Sequence, residues 1–494
     1  MVVNAFLLLP LLGIASAFNS TSNSLTYQQR TAIAPNGVNV AFNSPGNNTQ
    51  YTPSVYYSTN ATNITENASG ESLMYNTALS TTHKVGLRNL TSDCTYYYQT
   101  CLNVDGECAR SEVLSFKSAV SPGLTGEEFK FAVLGDMGVM GPLGLSTEAP
   151  SKVDDFARLD QGERSTMKAL IENKDKYQLI IHNGDHAYAD DVGKTSSRQE
   201  ITDGYISNAL NDSLLEQMSE TYELILEIYF NQTSQFARST PYMVGPGNHE
   251  QLLTEGHNYT DPWTNEPILV DDIPNGQRNF TFYNNRFFMP CESGELCNFW
   301  WSVEAGPMKF IQLNTETDLK AGIPPVDITQ DPEQNNLAEP NAQIEFLEKE
   351  LNSTDRSITP WLIVGGHRPW YGTSPDCPGC KESFEELLVK YDVDLVMHGH
   401  VHLYERLAPI SNGTVDKKGL DNPTSPWYII NGAAGHYDGL DDMPEDVSPQ
   451  SRNIIQGEFG YDEITIHNRT HLTHSFIVSK NDTLLDTQTL YKSH

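Results

Sequence analysis

Five short motifs place side chains with metal-binding chemistry directly after apolar stretches of the chain. Singly, each has an ordinary explanation, because Gly-Asp pairs are common in turns and most histidines are structural. Together they supply seven oxygen and nitrogen donors of the kinds that hard and borderline metal ions accept. The motifs are Gly135-Asp136-Met137-Gly138, Gly184-Asp185-His186-Ala187-Tyr188, Gly247-Asn248-His249-Glu250, Gly365-Gly366-His367 and Gly399-His400-Val401-His402.

The donors fall into two unequal groups. Asp136 and Tyr188 form an oxygen-rich group, Asn248 and His367 a nitrogen-containing one, and Asp185 can bridge two cations. His400 and His402 are spaced i, i+2, which points both imidazoles the same way if they continue a strand. Two adjacent cations can lower the pKa of a water molecule and bind phosphate oxygens, so the pattern predicts phosphoryl chemistry.

The elements that position these donors are short and uniformly apolar, as expected of strands buried on both faces of a sheet. Helical patterns between them cover Ala342–Leu351 and Phe384–Tyr391. We therefore predict a layered α/β region over 128–412, with its ligands at the carboxyl ends of strands. The predicted strands are Phe129–Leu134, Leu179–Ile181, Tyr242–Val244, Met308–Leu313, Trp361–Val364 and Val393–Met397.

The two ends of the chain have different patterns. Residues 18–122 are rich in Ser, Thr, Asn and Tyr in short alternating stretches, which predicts an all-β sandwich domain. Pro122–Gly126 is a linker pattern. Residues 425–494 are predicted to add strands that complete the α/β region.

Several signals indicate export. Met1–Ala17 combines an apolar run with an Ala-Ser-Ala cleavage pattern, which predicts a signal peptide and an extracellular protein. Fourteen Asn-X-Ser/Thr sequons predict N-linked glycans. The sequon asparagines are Asn19, Asn47, Asn60, Asn63, Asn67, Asn89, Asn211, Asn231, Asn258, Asn279, Asn352, Asn412, Asn468 and Asn481.

The seven cysteines fit an oxidising compartment. Cys291 with Cys297, and Cys377 with Cys380, are close enough to form local disulfides. Cys377-Pro-Gly-Cys380 is also compatible with a redox or zinc motif, although the chain has no second CxxC. Of Cys94, Cys101 and Cys108, two can pair and one is left over.

The net charge restricts the possible partners. With a formal charge of −33 and no basic stripe, the sequence argues against nucleic acid as a partner. After the first 17 residues no apolar run is long enough to cross a bilayer, so no membrane partner is predicted. Anion binding then requires a local positive centre such as bound metal. The sequence gives no indication of oligomeric state.

The five motifs in this order resemble the purple acid phosphatases, within the calcineurin-like metallophosphoesterases. The run Gly399-His400-Val401-His402-Leu403-Tyr404-Glu405-Arg406 matches that family's last motif, and Tyr188 is typical of its purple branch. The resemblance covers about residues 129–406. It implies a sandwich of two mixed β-sheets flanked by helices, preceded by a fibronectin-type-III-like domain.

The resemblance also implies roles for individual residues. Asp136, Tyr188 and His402 would hold Fe(III), while Asn248, His367 and His400 would hold divalent Fe, Zn or Mn. Asp185 would bridge the two ions, and His249 would contact phosphate and protonate the leaving alkoxide. These roles imply a secreted acid phosphatase in which a metal-activated hydroxide attacks phosphate monoesters, with phytate among the candidate substrates.

The substrate side departs from the plant members of the family. Those members carry further histidines after the fourth motif, whereas the segment Pro369–Cys377 has none. The remaining candidates for substrate contact are Arg368, His398 and His436. Two alternatives to a monoesterase stay open: a phosphodiesterase of the same superfamily, and a non-catalytic secreted glycoprotein that retains the fold.

Overall fold

The computed structural model describes most of the chain. The described residues are 24–123, 126–141, 143–145, 159–191, 214–253, 267–290, 298–317, 319, 341–436, 439–443 and 445–494. The predicted signal peptide lies outside them, as do Asn19, Asn211, Asn258, Cys291 and Cys297.

The N-terminal part is an all-β sandwich, as predicted. One sheet has the order β1-β2-β6-β5 and the other the order β4-β3-β7-β8, with β9 paired to β7. The strands are β1 Tyr27–Ala34, β2 Gly37–Pro45, β3 Thr52–Ser58, β4 Glu66–Ser69, β5 Glu71–Leu73, β6 Ser80–Arg88, β7 Thr95–Val104, β8 Glu107–Cys108 and β9 Leu114–Lys117. Alternating residues such as Val38, Val40 and Phe42 fill the space between the sheets.

A disulfide joins Cys101 to Cys108 in this sandwich, which leaves Cys94 as a free thiol. The sequence had left open which two of these three cysteines pair.

The first sheet of the α/β region has the order β12-β11-β10-β21-β22-β23. Its first three strands are parallel, and β21 to β23 continue it in antiparallel fashion. The strands are β10 Phe129–Leu134, β11 Ile180–Asn183, β12 Tyr242–Gly245, β21 Gly460–Ile466, β22 His471–Val478 and β23 Thr483–Tyr491.

The second sheet has the order β13-β14-β15-β16-β19-β17-β18, and β20 pairs with β17. Four of its strands, β14, β15, β16 and β19, run parallel. The strands are β13 Trp301–Ala305, β14 Met308–Gln312, β15 Trp361–Gly365, β16 Leu395–His398, β17 Tyr404–Ser411, β18 Thr414–Val415, β19 Trp427–Asn431 and β20 Ser451–Ile455.

The two sheets pack face to face with helices outside. In β15, Ile363 points into the core shared by both sheets, whereas Leu362 and Val364 face a second core under two of the helices. The strand is therefore buried on both faces, which explains its uniformly apolar sequence. The described α-helices are α1 Thr166–Asn173, α2 Leu214–Ala237, α3 Thr281–Arg286, α4 Ala342–Asn352 and α5 Pro378–Lys390.

These elements confirm the predicted fold class, and the six predicted strands are present. Helix α5 begins six residues earlier than predicted, because Pro378 occupies its first turn and Cys377 accepts a hydrogen bond from the Cys380 N–H. A disulfide also joins Cys377 to Cys380, so this pair closes a helix start. None of the described helices is long and apolar enough to cross a bilayer.

Helix α2 contacts both the N-terminal sandwich and the α/β region. Glu227 on this buried helix accepts hydrogen bonds from the Ser80 hydroxyl (2.7 Å) and the Gln28 amide (2.9 Å). The guanidinium of Arg286 lies 2.8 Å from the same carboxylate and is completely buried. The two regions therefore share a charged, fully buried contact.

Candidate metal centre

The carboxyl ends of parallel strands from both sheets meet at one edge of the sandwich. In the first sheet Leu134 is in register with His182, and in the second Gly365 is in register with Met397. The loops that follow approach so closely that a Cβ on Gly135 would lie 2.9 Å from the Cα of Gly399. Strand register and small residues therefore bring all five motifs together.

The phenol-containing half of the site lies around Tyr188. Its hydroxyl donates to Asp136 Oδ1 at 2.8 Å and lies 2.9 Å from His402 Nε2. It also lies 3.4 Å from Asp185 Oδ2. Asp136 and Tyr188 are buried, so this half is enclosed by protein.

The nitrogen-containing half lies around His367. Its Nε2 atom lies 3.0 Å from Asn248 Oδ1 and 3.2 Å from His400 Nδ1. The same atom lies 3.0 Å from Asp185 Oδ2, the oxygen that also faces Tyr188. Asp185 is thus placed between the two halves, and the seven predicted donors form one continuous cluster.

The donor chemistry shows that this cluster fits cations. His367 Nδ1 lies 2.8 Å from the main-chain carbonyl of Asn183, which can only accept, so Nδ1 carries the proton. In the neutral imidazole the lone pair on Nε2 then faces the oxygens of Asp185 and Asn248. Acceptors converge on acceptors, an arrangement that is stabilised by positive charge, either a metal ion between them or a proton on Nε2. Ligand atoms of Asp185, His367 and His400 all lie within 4.8 Å of one another.

The electrostatics of the metal-free protein agree with this. Burial alone would lower the pKa of His367, but the charges of Asp185 and Asp136 raise it to about 10. Burial would raise the pKa of Asp185, yet the imidazoles of His367 and His249 hold it well below its usual range. Without metal, a proton on His367 supplies the positive charge that the cluster needs.

For Tyr188 the surroundings favour the neutral, protonated side chain. Burial and the nearby carboxylates of Asp136 and Asp185 raise the pKa of Tyr188 well above its usual range. The phenol therefore keeps its proton in the metal-free protein, and a strongly charged cation is needed to stabilise the phenolate.

Four of the seven donors have unusual backbone angles. The φ values are 63° for Asp136, 55° for Asp185, 52° for Tyr188 and 70° for His400. A side chain in this left-handed region costs about 1–2 kcal/mol per residue, and aspartate tolerates it best. Such strain persists only where surrounding contacts enforce it, and it concentrates at functional sites.

The two histidines of the last motif, His400 and His402, reach the site from a loop. Strand β16 ends at His398, and β17 begins at Tyr404, so His400 and His402 are not strand residues. The expectation that strand geometry aligns them is wrong in its premise. The positive φ of His400 turns its imidazole to the His367 half, while His402 faces Tyr188.

His249 lies beside the cluster with a carboxylate partner that the sequence reasoning missed. Its Nδ1 atom lies 2.9 Å from Asp190 Oδ2, and its Nε2 atom lies 3.8 Å from Asp185 Oδ2. Its ring packs against Tyr188 with centroids 4.2 Å apart. The sequence feature that could have identified Asp190 is its position two residues after Tyr188.

His436 also lies at the site, and it too has an acidic partner. Its Nε2 atom lies 2.9 Å from Asp191 Oδ2, and its ring centroid lies 3.6 Å from that of Tyr188. The His402 ring lies 5.0 Å away. The structure thus brings this candidate against the tyrosine.

Glu250 holds the loops that carry the ligands. Its Oε2 atom accepts from the main-chain N–H groups of Asp185 (2.9 Å) and Gly247 (2.8 Å). Its Oε1 atom accepts from the N–H of His186 at 2.8 Å. One buried carboxylate therefore fixes the motif of Asp185 to the motif of Asn248, a role that the sequence reasoning did not assign.

Arg368 and His398 occupy different surroundings. The buried guanidinium of Arg368 pairs with Glu316 (2.8 Å) and with Asp376. The ring of His398 packs against Trp370 with centroids 4.5 Å apart, and burial lowers its pKa to about 3. Arg368 also reaches the site directly, because its guanidinium lies 3.2 Å from His400 Nε2, whereas the described side-chain contacts of His398 are aromatic.

Comparison with known proteins gives three family matches along the chain. Residues 24–118 match the purple acid phosphatase N-terminal domain, and residues 129–404 match the calcineurin-like phosphoesterase model. Residues 425–487 match the iron/zinc purple acid phosphatase-like protein C model.

Similar proteins include two fungal phosphatases. Acid phosphatase A of Cryphonectria parasitica is 34% identical over 447 residues, covering 85% of this chain and 82% of the relative. An acid phosphatase of Aspergillus ficuum is 28% identical, covering 83% of this chain and 75% of the relative. The solved purple acid phosphatase PPD1 of yellow lupin (Lupinus luteus) superposes with a TM-score of 0.68 at 21% identity, covering 96% of this chain and 76% of that structure.

Proposed function

The chain belongs to the purple acid phosphatases, a family within the calcineurin-like phosphoesterases, and we propose that it hydrolyses phosphate monoesters at a dinuclear metal centre. The observation that carries the proposal is the convergence of potential metal-ligand atoms from both halves of the site on Asp185. Its Oδ2 atom lies 3.0 Å from His367 Nε2 and 3.4 Å from the Tyr188 hydroxyl. A carboxylate in that place can bridge two cations.

The two half-sites suit different ions. A hard ferric ion favours anionic oxygen, which supports assigning Fe(III) to Asp136, Tyr188 and His402. Imidazole and amide donors support a divalent Fe, Zn or Mn ion at Asn248, His367 and His400. When bound, the two ions supply Lewis acidity that lowers the pKa of a water molecule and draws charge from the phosphate oxygens.

His249 supplies the proton for the leaving group. Asp190 accepts the Nδ1 proton at 2.9 Å, which orients the ring and stabilises its protonated form. Nε2 is then the ring atom that faces the site, 3.8 Å from Asp185. From Nε2 the protonated imidazole donates to the departing alkoxide oxygen.

Secretion and glycosylation belong to the same proposal. Ten of the eleven sequon asparagines in the described ranges are exposed, and Asn231 is partly buried. The exposed positions have room for glycans on the folded surface. Activity at acidic pH follows from Fe(III), which acidifies water more strongly than divalent ions do.

The test compares rates on p-nitrophenyl phosphate and bis(p-nitrophenyl) phosphate across acidic and neutral pH. We expect the monoester to be the better substrate, with the faster rate at acidic pH. A diester rate that matches or exceeds the monoester rate would assign the protein to the phosphodiesterases. No turnover of either ester by protein with both ions bound would favour a non-catalytic glycoprotein. Phytate is assayed in parallel by phosphate release.

The His249→Ala variant tests the proton donor. Loss of a general acid lowers turnover by roughly 10²- to 10⁴-fold, and the metal content should stay at the wild-type value. Parallel loss of metal and turnover would instead make His249 a ligand or a structural residue.

A further inference from the structure

An aspartate stands beside the metal cluster in the loop that follows His367. Asp376 lies nine residues after this histidine, within the segment that carries no histidine. Its Oδ2 atom lies 2.8 Å from His400 Nε2. The side chain of Asp376 is 28% exposed, so the contact lies at the edge of the site.

The loop that carries Asp376 is fixed at several points. The N–H of Asp376 donates to the carbonyl of Pro369 at 2.9 Å, which closes the loop on itself. Halfway along, the Thr373 hydroxyl donates to Glu405 at 2.6 Å. Immediately after Asp376, the Cys377–Cys380 disulfide starts helix α5. The carboxylate is therefore held in place before any ion binds.

The geometry also determines which nitrogen of His400 carries a proton. Nε2 faces a carboxylate oxygen, which accepts only, so the proton is on Nε2. The guanidinium of Arg368 lies 3.2 Å from the same nitrogen but has Asp376 itself as an acceptor. Nδ1 is then the unprotonated ring nitrogen, whose lone pair can bind a metal ion. It lies 3.2 Å from His367 Nε2.

The positively charged side chain of Arg368 pairs with the Asp376 carboxylate. Arg368 contacts Asp376 through one guanidinium nitrogen and Glu316 through Nε at 2.8 Å. Glu316 in turn accepts from the Thr315 hydroxyl at 2.7 Å. Asp376 is therefore both positioned and charge-balanced by the buried side chain of Arg368.

We propose that Asp376 is a positioning residue that holds the proton on His400 Nε2, presents Nδ1 to the divalent half-site and strengthens its binding of the ion. The inference rests on the proposed dinuclear centre. Hydrogen bonds from a ligand imidazole to an outer carboxylate fix the ring and raise its basicity. His367 has a neutral carbonyl in the equivalent position, so His400 is the ligand in this half whose outer partner is charged.

The experiment measures Zn²⁺ binding to the iron-loaded, full-length protein by competition with a chromogenic chelator. The variant is Asp376→Asn, which keeps the shape but removes the charge. Loss of an outer-shell partner typically weakens metal binding by about 10- to 100-fold, and we expect a rise of that size in the Zn²⁺ dissociation constant. The visible absorption of the iron–tyrosinate half should not change, and Asp376→Glu should recover part of the affinity.

The matched control is Asp442→Asn, which removes one charge from the neighbouring loop without a described contact to any of the seven ligands. Its Zn²⁺ affinity should equal that of the wild type. Equal affinity of Asp376→Asn and wild type overturns the positioning role. Equal losses of iron and zinc in Asp376→Asn overturn it as well, in favour of a general structural role. Wild-type protein that binds no divalent ion beside the iron, whether Fe, Zn or Mn, refutes the dinuclear centre itself.

Discussion

Replacing Glu250 with glutamine should loosen the loops that build the metal centre. The buried carboxylate accepts three main-chain hydrogen bonds, two at Oε2 and one at Oε1. A glutamine oxygen at the Oε2 position keeps the bonds from Asp185 and Gly247. The amide nitrogen then faces the N–H of His186, which loses its acceptor.

The destabilisation caused by Glu250→Gln follows from these hydrogen bonds. A bond to a charged group contributes about 1.5–3 kcal/mol and a neutral one about 0.5–1.5 kcal/mol. Losing one charged bond and weakening two others by about 1–1.5 kcal/mol each gives a destabilisation of about 3.5–6 kcal/mol. Roughly 340 residues match the two catalytic-region models. An unfolding entropy of about 2.1 cal/mol/K per residue then converts the loss to about 5–8 °C in the melting temperature.

Thermal unfolding of metal-free Glu250→Gln, followed by circular dichroism, measures this shift. The control is Glu386→Gln on the exposed face of α5, which should melt like the wild type. Because Asp185 lies between both halves, the variant should also bind both metal ions more weakly. A melting temperature within a degree of wild type, with unchanged metal binding, would refute the role given to Glu250.

Three further predictions follow from buried groups elsewhere. Asp190→Asn should lower turnover but not metal content, because Asp190 contacts the proton donor His249; loss of metal would contradict this. Glu227→Ala should destabilise the protein by up to about 3–5 kcal/mol, because the buried Arg286 guanidinium loses the carboxylate at 2.8 Å and keeps that of Glu223 at 3.9 Å; an unchanged melting temperature would show that the contact contributes nothing. Burial lowers the pKa of His83 to about 4, so between pH 6.5 and 4 the unfolded chain binds a proton that the native protein does not, and stability falls as the pH falls. His83→Gln should flatten that dependence of the melting temperature on pH, and an unchanged slope would contradict the assignment.

The convergence of the candidate ligands was predictable, because the carboxyl ends of parallel strands lie at the same edge of a sheet. Buried parallel strands have uniformly apolar sequences, and the polar residue after each one must lie at the same sheet edge. Asp136, Asp185, Asn248 and His367 follow that rule. Both the fold class and the location of the site therefore follow from local sequence.

The outer carboxylates could not be predicted in the same way. Glu250, Asp190 and Asp376 act through contacts set by loop conformation, and no spacing rule relates Asp376 to a histidine 24 residues later. The unusual φ of His400 is likewise a consequence of the surrounding fold. Which carboxylates contact the candidate site residues therefore depends on the conformation of the loops more than on the motif sequences.

A dinuclear centre in which Tyr188 binds iron can be tested by one combined measurement. Elemental analysis and a visible spectrum are recorded on the same purified protein and on its Tyr188→Phe variant. We expect one iron and one divalent ion per chain and a visible absorption band that disappears in the variant. Protein without iron, or a band that survives in Tyr188→Phe, would contradict it.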